Sequence, residues 1–141
     1  MSAVNSSDIV GMAFLDFKKA FDLVDHSILL KKLSLYVKDS SSLAFFPLHS
    51  YLTNRTQYVL LKNESSSKGL VRYGVPQGSV LGPLLFCTFI SELLLHISNV
   101  KVSNNLFADD SSHHTRGKNI QLVETSLQGS VNEVADWCGS N

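Results

Sequence analysis

Ile9-Val10-Gly11-Met12-Ala13-Phe14-Leu15 passes almost unbroken through apolar residues and stops on Asp16. A run of this length predicts a β-strand, and its lack of polar alternation predicts one buried on both faces. Such a strand delivers a carboxylate to the end of an apolar element, where an unneutralised charge is costly. A helix N-terminal aspartate is the ordinary alternative, and Asp22 and Asp25 suit that role better, since each can cap or sit in a first turn. A second acidic point, Asp109-Asp110, ends another strand-like stretch at 100–108, weakened by Asn104-Asn105. A hairpin turn there would expose both side chains. Between the two points lies Gly74-Val75-Pro76-Gln77-Gly78. Its glycines permit close backbone approach to a ligand, Pro76 stiffens it, and Gln77 offers an amide donor and acceptor. Alone, it is equally a strand-to-helix connection.

The 141 residues suffice for one compact domain, and 44% apolar with 17% charged residues excludes a disordered chain. No repeat and no domain linker is visible. The formal net charge of zero argues against a stand-alone nucleic-acid binder, which needs a basic surface. A catalytic core that draws its basic surface from other segments escapes that objection. Cys87 and Cys138 form no CxxC pair and read as small core residues in a reducing compartment. The start lacks a secretory pattern. The apolar stretch 83–97 is interrupted by Ser91, Glu92 and His96 and is too short to span a bilayer comfortably. The expectation is a soluble intracellular chain (cytoplasm, nucleus or both) with no membrane partner.

Asp25 predicts the N-cap of a helix through Val37, with Ile28, Leu29, Leu33 and Val37 on one face. Lys31, Lys32 and Lys38 would sit where its dipole favours cations. Ser40-Ser41-Ser42 marks a break before a short helix over 43–52. Two strands, 57–61 and 69–73, would be joined by the polar turn 62–68. Pro83 suits a helix N1 position. Leu84, Leu85, Phe86, Phe89, Ile90, Leu93, Leu94 and Ile97 then cover most of that helix's circumference, which predicts burial at the domain centre. Ile120, Val123, Leu127, Val131, Val134 and Trp137 mark a last amphipathic helix, with Gly139 as its stop. His113-His114 reads as a pair of exposed loop histidines, since no third metal ligand is indicated.

Two carboxylates about 4 Å apart repel by about 4 kcal/mol at an effective dielectric near 20. If Asp16 joins Asp109 and Asp110, three charges converge, and a dication would offset the repulsion in an oxygen-only site. Three segments in order carry a further signal. Phe14-Leu15-Asp16-Phe17-Lys18-Lys19-Ala20-Phe21-Asp22, then Gly74-Val75-Pro76-Gln77-Gly78-Ser79-Val80-Leu81-Gly82-Pro83-Leu84-Leu85-Phe86, then Phe107-Ala108-Asp109-Asp110 closely resemble motifs A, B and C of reverse transcriptases, in the wording of the non-LTR (LINE-type) retrotransposon group. Ser50-Tyr51-Leu52-Thr53-Asn54-Arg55-Thr56-Gln57-Tyr58-Val59 resembles the segment before motif B, and Ala135-Asp136-Trp137-Cys138 the helix of motif D. The likeness runs from about residue 9 to the C-terminus.

The resemblance implies an α+β, polymerase palm-like antiparallel sheet. It would be formed by the motif A strand and the motif C hairpin and backed by the Pro83 and C-terminal helices. Residues 1–141 would make one partial palm domain, incomplete, with no fingers and no thumb, from a longer polyprotein; the missing fingers would account for the neutral charge. The implied activity is RNA-directed DNA polymerisation, adding dNTPs to a DNA primer's 3′-hydroxyl on an RNA template. Asp16 and Asp109 would hold two Mg2+ ions (Mn2+ a possible substitute), with Asp110 assisting and the Phe17 carbonyl as a further ligand. Phe21, at the family's sugar-selecting position, would crowd a 2′-hydroxyl; in the bare sequence it is a core aromatic. Gln77 and Gly78 would line the nucleotide, and Arg55 would touch nucleic-acid backbone or be a plain surface arginine. The isolated chain is expected to have little or no polymerase activity.

The rival class is a catalytically dead retroelement remnant, kept as a binding or scaffold piece or without role. The intact Asp16, Asp109 and Asp110 argue against long decay of the site. Another palm-fold enzyme, such as a nucleotide cyclase, is opposed by segment 74–86, whose wording belongs to polymerases.

Overall fold

The computed structural model describes residues 8–37 and 45–141. Its elements run β1 (Ile9–Asp16), α1 (His26–Tyr36), α2 (Phe45–Leu52), the two-residue strands β2 (Thr56–Gln57), β3 (Leu60–Leu61), β4 (Glu64–Ser65) and β5 (Gly69–Leu70), then α3 (Gly82–Ile90), α4 (Leu93–His96), β6 (Ser103–Phe107), β7 (Asp110–Gly117) and α5 (Ile120–Ser140). Lys38, Ser40-Ser41-Ser42 and the start of the helix expected over 43–52 lie outside the described residues. The elements fall into two compact units, Met1–Lys18 with Ile90–Asn141, and Lys19–Phe89. The class is α+β, as expected, with an antiparallel sheet packed against a helix.

In the first unit the sheet order is β1-β7-β6. β1 pairs with β7 along its whole length, from Ile9↔Gly117 to Asp16↔Asp110. β6 returns into β7 through a two-residue turn, Ala108-Asp109. Side chains alternate between faces, so Gly11, Ala13 and Leu15 share a face with Thr115, His113 and Ser111. That face packs on α5. Gly11 makes the contact possible, because a Cβ there would stand 2.5 Å from Val123 Cγ1 and 2.8 Å from Leu127 Cδ1.

The opposite face carries Val10, Met12, Phe14 and Asp16, and it is open: Phe14 is 74% exposed. β1 is therefore an edge strand covered on one side, not the doubly buried strand its composition predicts. His113 and His114 are also not loop residues; both lie in β7. In α5 the Asn119 side chain caps the first turn through Gln121 N, and Val123, Ser130, Val134 and Trp137 are buried. The helix continues through Gly139 to Ser140. A glycine costs a helix about 1 kcal/mol, too little to stop one anchored by Trp137 just before it.

In the second unit Asp25 caps α1 as expected, its carboxylate accepting from Ser27 N and Ile28 N. Leu29 and Leu33 are buried. Lys32 serves a different helix end from the one its position implies. It is only 5% exposed, donates to the Phe89 carbonyl at 2.9 Å and stands 4.8 Å from the Phe89 ring centroid. A cation there meets the negative end of α3.

The expected strand pair 57–61 and 69–73 resolves into two short ladders, β2 with β5 and β3 with β4. The turn is Lys62-Asn63, with Lys62 at φ 55°, so the polar stretch read as one turn contains a strand of its own. The single helix expected from Pro83 to Ile97 breaks at Ser91-Glu92 into α3 and α4. Its burial is one-sided: Leu85, Phe86, Phe89 and Ile90 are buried, while Leu84, Leu94 and Leu95 are exposed. Both cysteines are free and exposed, contrary to the core reading. Cys87 and Cys138 each follow a buried aromatic, Phe86 and Trp137, and so fall on the helix's outward side.

Candidate active site

The first unit brings two of the predicted carboxylates together. Asp16 ends β1, Asp110 opens β7, and the two face each other in register. Directly opposed residues in an antiparallel pair hold their Cβ atoms about 4.5–5.5 Å apart, and like charges so placed are destabilising. Both side chains are exposed, so water screens the repulsion to about 1 kcal/mol. They line a cleft of about 450 Å³ on the open face of the sheet, with Phe14, Asn105, Phe107 and Ser112. Asp109 is half-buried on the hairpin turn. The turn begins with Ala108 at φ 51°, a left-handed conformation that costs an L-residue about 1–2 kcal/mol. Phe17 follows directly on β1.

Behind the carboxylates, β7 is fastened to α5 by a buried polar relay. His113 is 0% exposed. Its Nε2 lies 2.8 Å from Ser111 Oγ, and its Nδ1 lies 2.7 Å from Ser130 Oγ on α5. Burial pushes the His113 pKa below its ordinary 6.5, because desolvation disfavours the charged ring. Sequence reasoning missed this histidine. The alternation Ser111, His113, Thr115 was the available signal, a polar period of two that is the mark of a strand face.

The second unit holds the other predicted residues. Phe21 stacks on Phe86, ring centroids 4.2 Å apart at 20°, so its ring has a fixed orientation while the residue stays half-buried. The loop from Gly74 carries two glycines at positive φ, Gly74 at 87° and Gly78 at 79°. Ser79 closes it: its hydroxyl donates to the Pro76 carbonyl at 2.7 Å and accepts from Gly82 N at 2.9 Å. Gln77 Nε2 reaches Asp22 Oδ1 at 3.5 Å. Arg55 lies over the Tyr51 ring at 5.2 Å. Both line a cavity of about 680 Å³ together with His26, Tyr73, Gly74 and Gln77. His26 has no periodic or compositional signature; it follows the cap residue Asp25 and reads as an ordinary first-turn polar residue.

Among the described residues no group of three or more His, Cys, Asp or Glu side chains is placed to hold a metal ion. The predicted convergence of three carboxylates is met by two. The donor set at the cleft, carboxylate oxygens with the Ser112 hydroxyl and Asn105 amide nearby, is of the hard-oxygen type that suits Mg2+.

A three-stranded antiparallel sheet backed on one face by a long helix, with facing aspartates at the strand ends, defines a partial palm-like fold. Residues 3–141 match the family described as Reverse transcriptase (RNA-dependent DNA polymerase), and the chain belongs to it. It is similar to the RNA-directed DNA polymerase from mobile element jockey of Drosophila melanogaster, 32% identical over 97% of this chain and 15% of that protein. It is likewise similar to the probable RNA-directed DNA polymerase from transposon BS of the same organism, 31% identical over 98% of this chain and 16% of that one. The resemblance to non-LTR retrotransposon reverse transcriptases thus holds across the chain, which spans about 15% of the length of the jockey protein. Among solved structures, apo telomerase from Candida tropicalis, truncated from its C-terminal domain, shares the fold at a TM-score of 0.65 and 16% identity, over 89% of this chain and 27% of that one. No helix among the described residues is long and apolar enough to cross a membrane.

Proposed function

We propose that this chain is a reverse transcriptase palm segment whose Asp16 and Asp110, with Asp109 and the Phe17 carbonyl, hold Mg2+ for RNA-directed DNA synthesis. The register Asp16↔Asp110 carries this reading: a fold that sets two exposed carboxylates face to face accepts a repulsion that a dication would reverse. Magnesium held there would supply the charge that activates a primer 3′-hydroxyl and steadies a departing pyrophosphate. The chain's own contribution is placement. β1 and β7 fix the backbone positions that carry the two carboxylates through a full ladder of hydrogen bonds, and His113 holds β7 from behind, so the strand ends need not reorganise on binding.

In the second unit Phe21, Gln77 and Gly78 are assigned the dNTP. The stacked Phe21 ring supports a rigid wall against a 2′-hydroxyl, and the left-handed Gly78 leaves backbone open to a close ligand. Arg55 and Gln57, on the wall of the larger cavity, are assigned RNA template or DNA primer backbone.

Calorimetric titration of the chain with a dNTP, with and without magnesium, tests the assignment. Magnesium-dependent binding is expected, lost in Asp16→Asn and Asp110→Asn and weakened in Asp109→Asn. A catalytically dead remnant predicts no magnesium dependence at all, and that outcome would replace the proposal with the remnant reading.

A further inference from the structure

Residues 21–26 run alongside residues 72–75, joined by an isolated bridge at Asp25↔Tyr73. Three backbone hydrogen bonds hold the two segments: His26 N to Arg72 O at 3.1 Å, Gly74 N to Val24 O at 2.8 Å, and Val75 N to Phe21 O at 2.8 Å. A fourth bond comes from a side chain. The buried His26 ring places Nε2 2.7 Å from the Gly74 carbonyl oxygen. A carbonyl only accepts, so Nε2 carries the proton. Nδ1 is buried with no hydrogen-bond partner.

The recipient of that bond matters. Gly74 lies at φ +87°, and a Cβ there would meet the Asp22 carbonyl oxygen at 3.1 Å. The chain therefore needs glycine to turn out of the bridge at this point, and glycine is the residue whose adjoining peptides reorient most freely. A side chain that pins the Gly74 carbonyl adds a second hold at the start of the loop, on a peptide whose N–H, that of Val75, is bonded to Phe21 O. Downstream, Val75 is buried and Gln77 reaches Asp22 at 3.5 Å. His26, Gly74 and Gln77 all face the cavity of about 680 Å³.

We infer that His26 is a positioning residue for the 74–78 loop: its Nε2–H fixes the peptide between Gly74 and Val75 and thereby sets the direction from which Gln77 meets a nucleotide. The last step rests on the nucleotide role proposed for Gln77; the pinning of the loop does not. His26 touches no reacting atom and acts through the backbone.

The experiment compares the full chain with His26→Gln and His26→Leu. Glutamine's terminal amide can supply the donor that Nε2 supplies; leucine fills similar space without one. Nitrogen-15 spectra of the wild-type ring are expected to show the Nε2–H tautomer. The backbone amide resonances of Gln77 and Gly78 are expected to move in the leucine variant and to stay near their wild-type positions in the glutamine variant. With Mg2+ and dATP as the probe, affinity is expected to fall about tenfold in His26→Leu and to recover to within about threefold in His26→Gln, the loss of one buried hydrogen bond.

An Nδ1–H tautomer, unmoved loop amides in His26→Leu, or a glutamine variant as weak as the leucine one would each overturn the inference. If the wild-type chain binds no dATP, the proposed function fails, and the pinning of the loop is still decided by the tautomer and the amide shifts. If the leucine variant does not fold, the glutamine variant and the tautomer decide it.

Discussion

Ala108 occupies a position that its side chain disfavours, the left-handed first residue of the β6–β7 turn. Ala108→Gly should therefore stabilise the chain, because relief of about 1–2 kcal/mol of backbone strain outweighs about 0.4–1 kcal/mol of added unfolded-state entropy. Urea unfolding at neutral pH checks it, and a lower midpoint in the glycine variant would contradict the strain. Two titratable residues give the chain an acid limit. Burial depresses the His113 pKa, so the unfolded ring takes its proton near pH 6.5 and the folded ring only at lower pH. Stability is thus undiminished above pH 6.5 and declines as the pH falls below it. At Asp25 burial raises the pKa, but hydrogen bonds from the Ser27 hydroxyl, Ile28 N–H and Ser27 N–H, with the nearby His26, outweigh it and leave the carboxyl below its ordinary 3.8. Its stabilisation is present above that value and is lost as the pH drops through the lowered one. A melting series run downward from neutral pH until the Asp25 carboxyl is protonated in the folded chain should show both declines, and His113→Gln should remove the upper one.

Element placement depends on Gly11 of β1, where the strand lies against α5. Adding one methyl group there would drive it into Val123 and Leu127, and Gly11→Ala should cost about 1–3 kcal/mol, as overpacking does, by forcing α5 off the sheet. Unfolding midpoints of this variant and of Ala13→Gly, a deletion on the same strand face, should both fall, with the Gly11 variant also losing protection of α5 amides in hydrogen exchange. The same strand shows what the sequence could and could not disclose. Its existence, its end at Asp16 and the Asp25 cap of α1 all follow from local patterns, which local chemistry enforces; the hairpin expected at Asp109-Asp110 turns one residue earlier, at Ala108-Asp109, and leaves Asp109 half-buried. Which faces are covered did not follow, because Val10, Met12 and Phe14 are apolar yet open, while Ser111, His113 and Thr115 are polar yet buried. Burial of those polar residues depends on partners distant in sequence: Ser130 for His113, and the Lys101 carbonyl for Thr115 at 2.6 Å. The break falls at Ser91-Glu92, the polar pair that interrupts the apolar stretch, but the apolar residues on either side of it do not say that only one face will be packed. At the site, the motif order predicted that Asp16 would meet both Asp109 and Asp110, with Asp109 as its metal-holding partner; the strand register sets Asp16 opposite Asp110. His26 was invisible because its role consists of one bond to a carbonyl 48 residues away.

Taken as a whole, a chain of zero net charge concentrates a local negative field where Asp16 faces Asp110, and its stability should respond to magnesium in a way that reverses with mutation. Most substitutions destabilise a protein. Without divalent ions, Asp16→Asn and Asp110→Asn should do the opposite and raise the unfolding free energy by about 0.2–1 kcal/mol, the worth of a like-charge cross-strand pair. With Mg2+ at ten times its dissociation constant, linkage should add about 1.4 kcal/mol to the wild type, which moves the melting temperature by about 3–5 °C for a chain of this size. The asparagine variants, having lost a ligand, should gain little. The order of stabilities therefore inverts: variants above wild type in chelator, wild type above variants in magnesium. Sodium chloride at matched ionic strength separates this from general screening, because salt weakens the repulsion in the wild type without restoring a ligand to the variants. Parallel melting curves for wild type and variants in both conditions would show the carboxylate pair to be a mere crowding of surface charge.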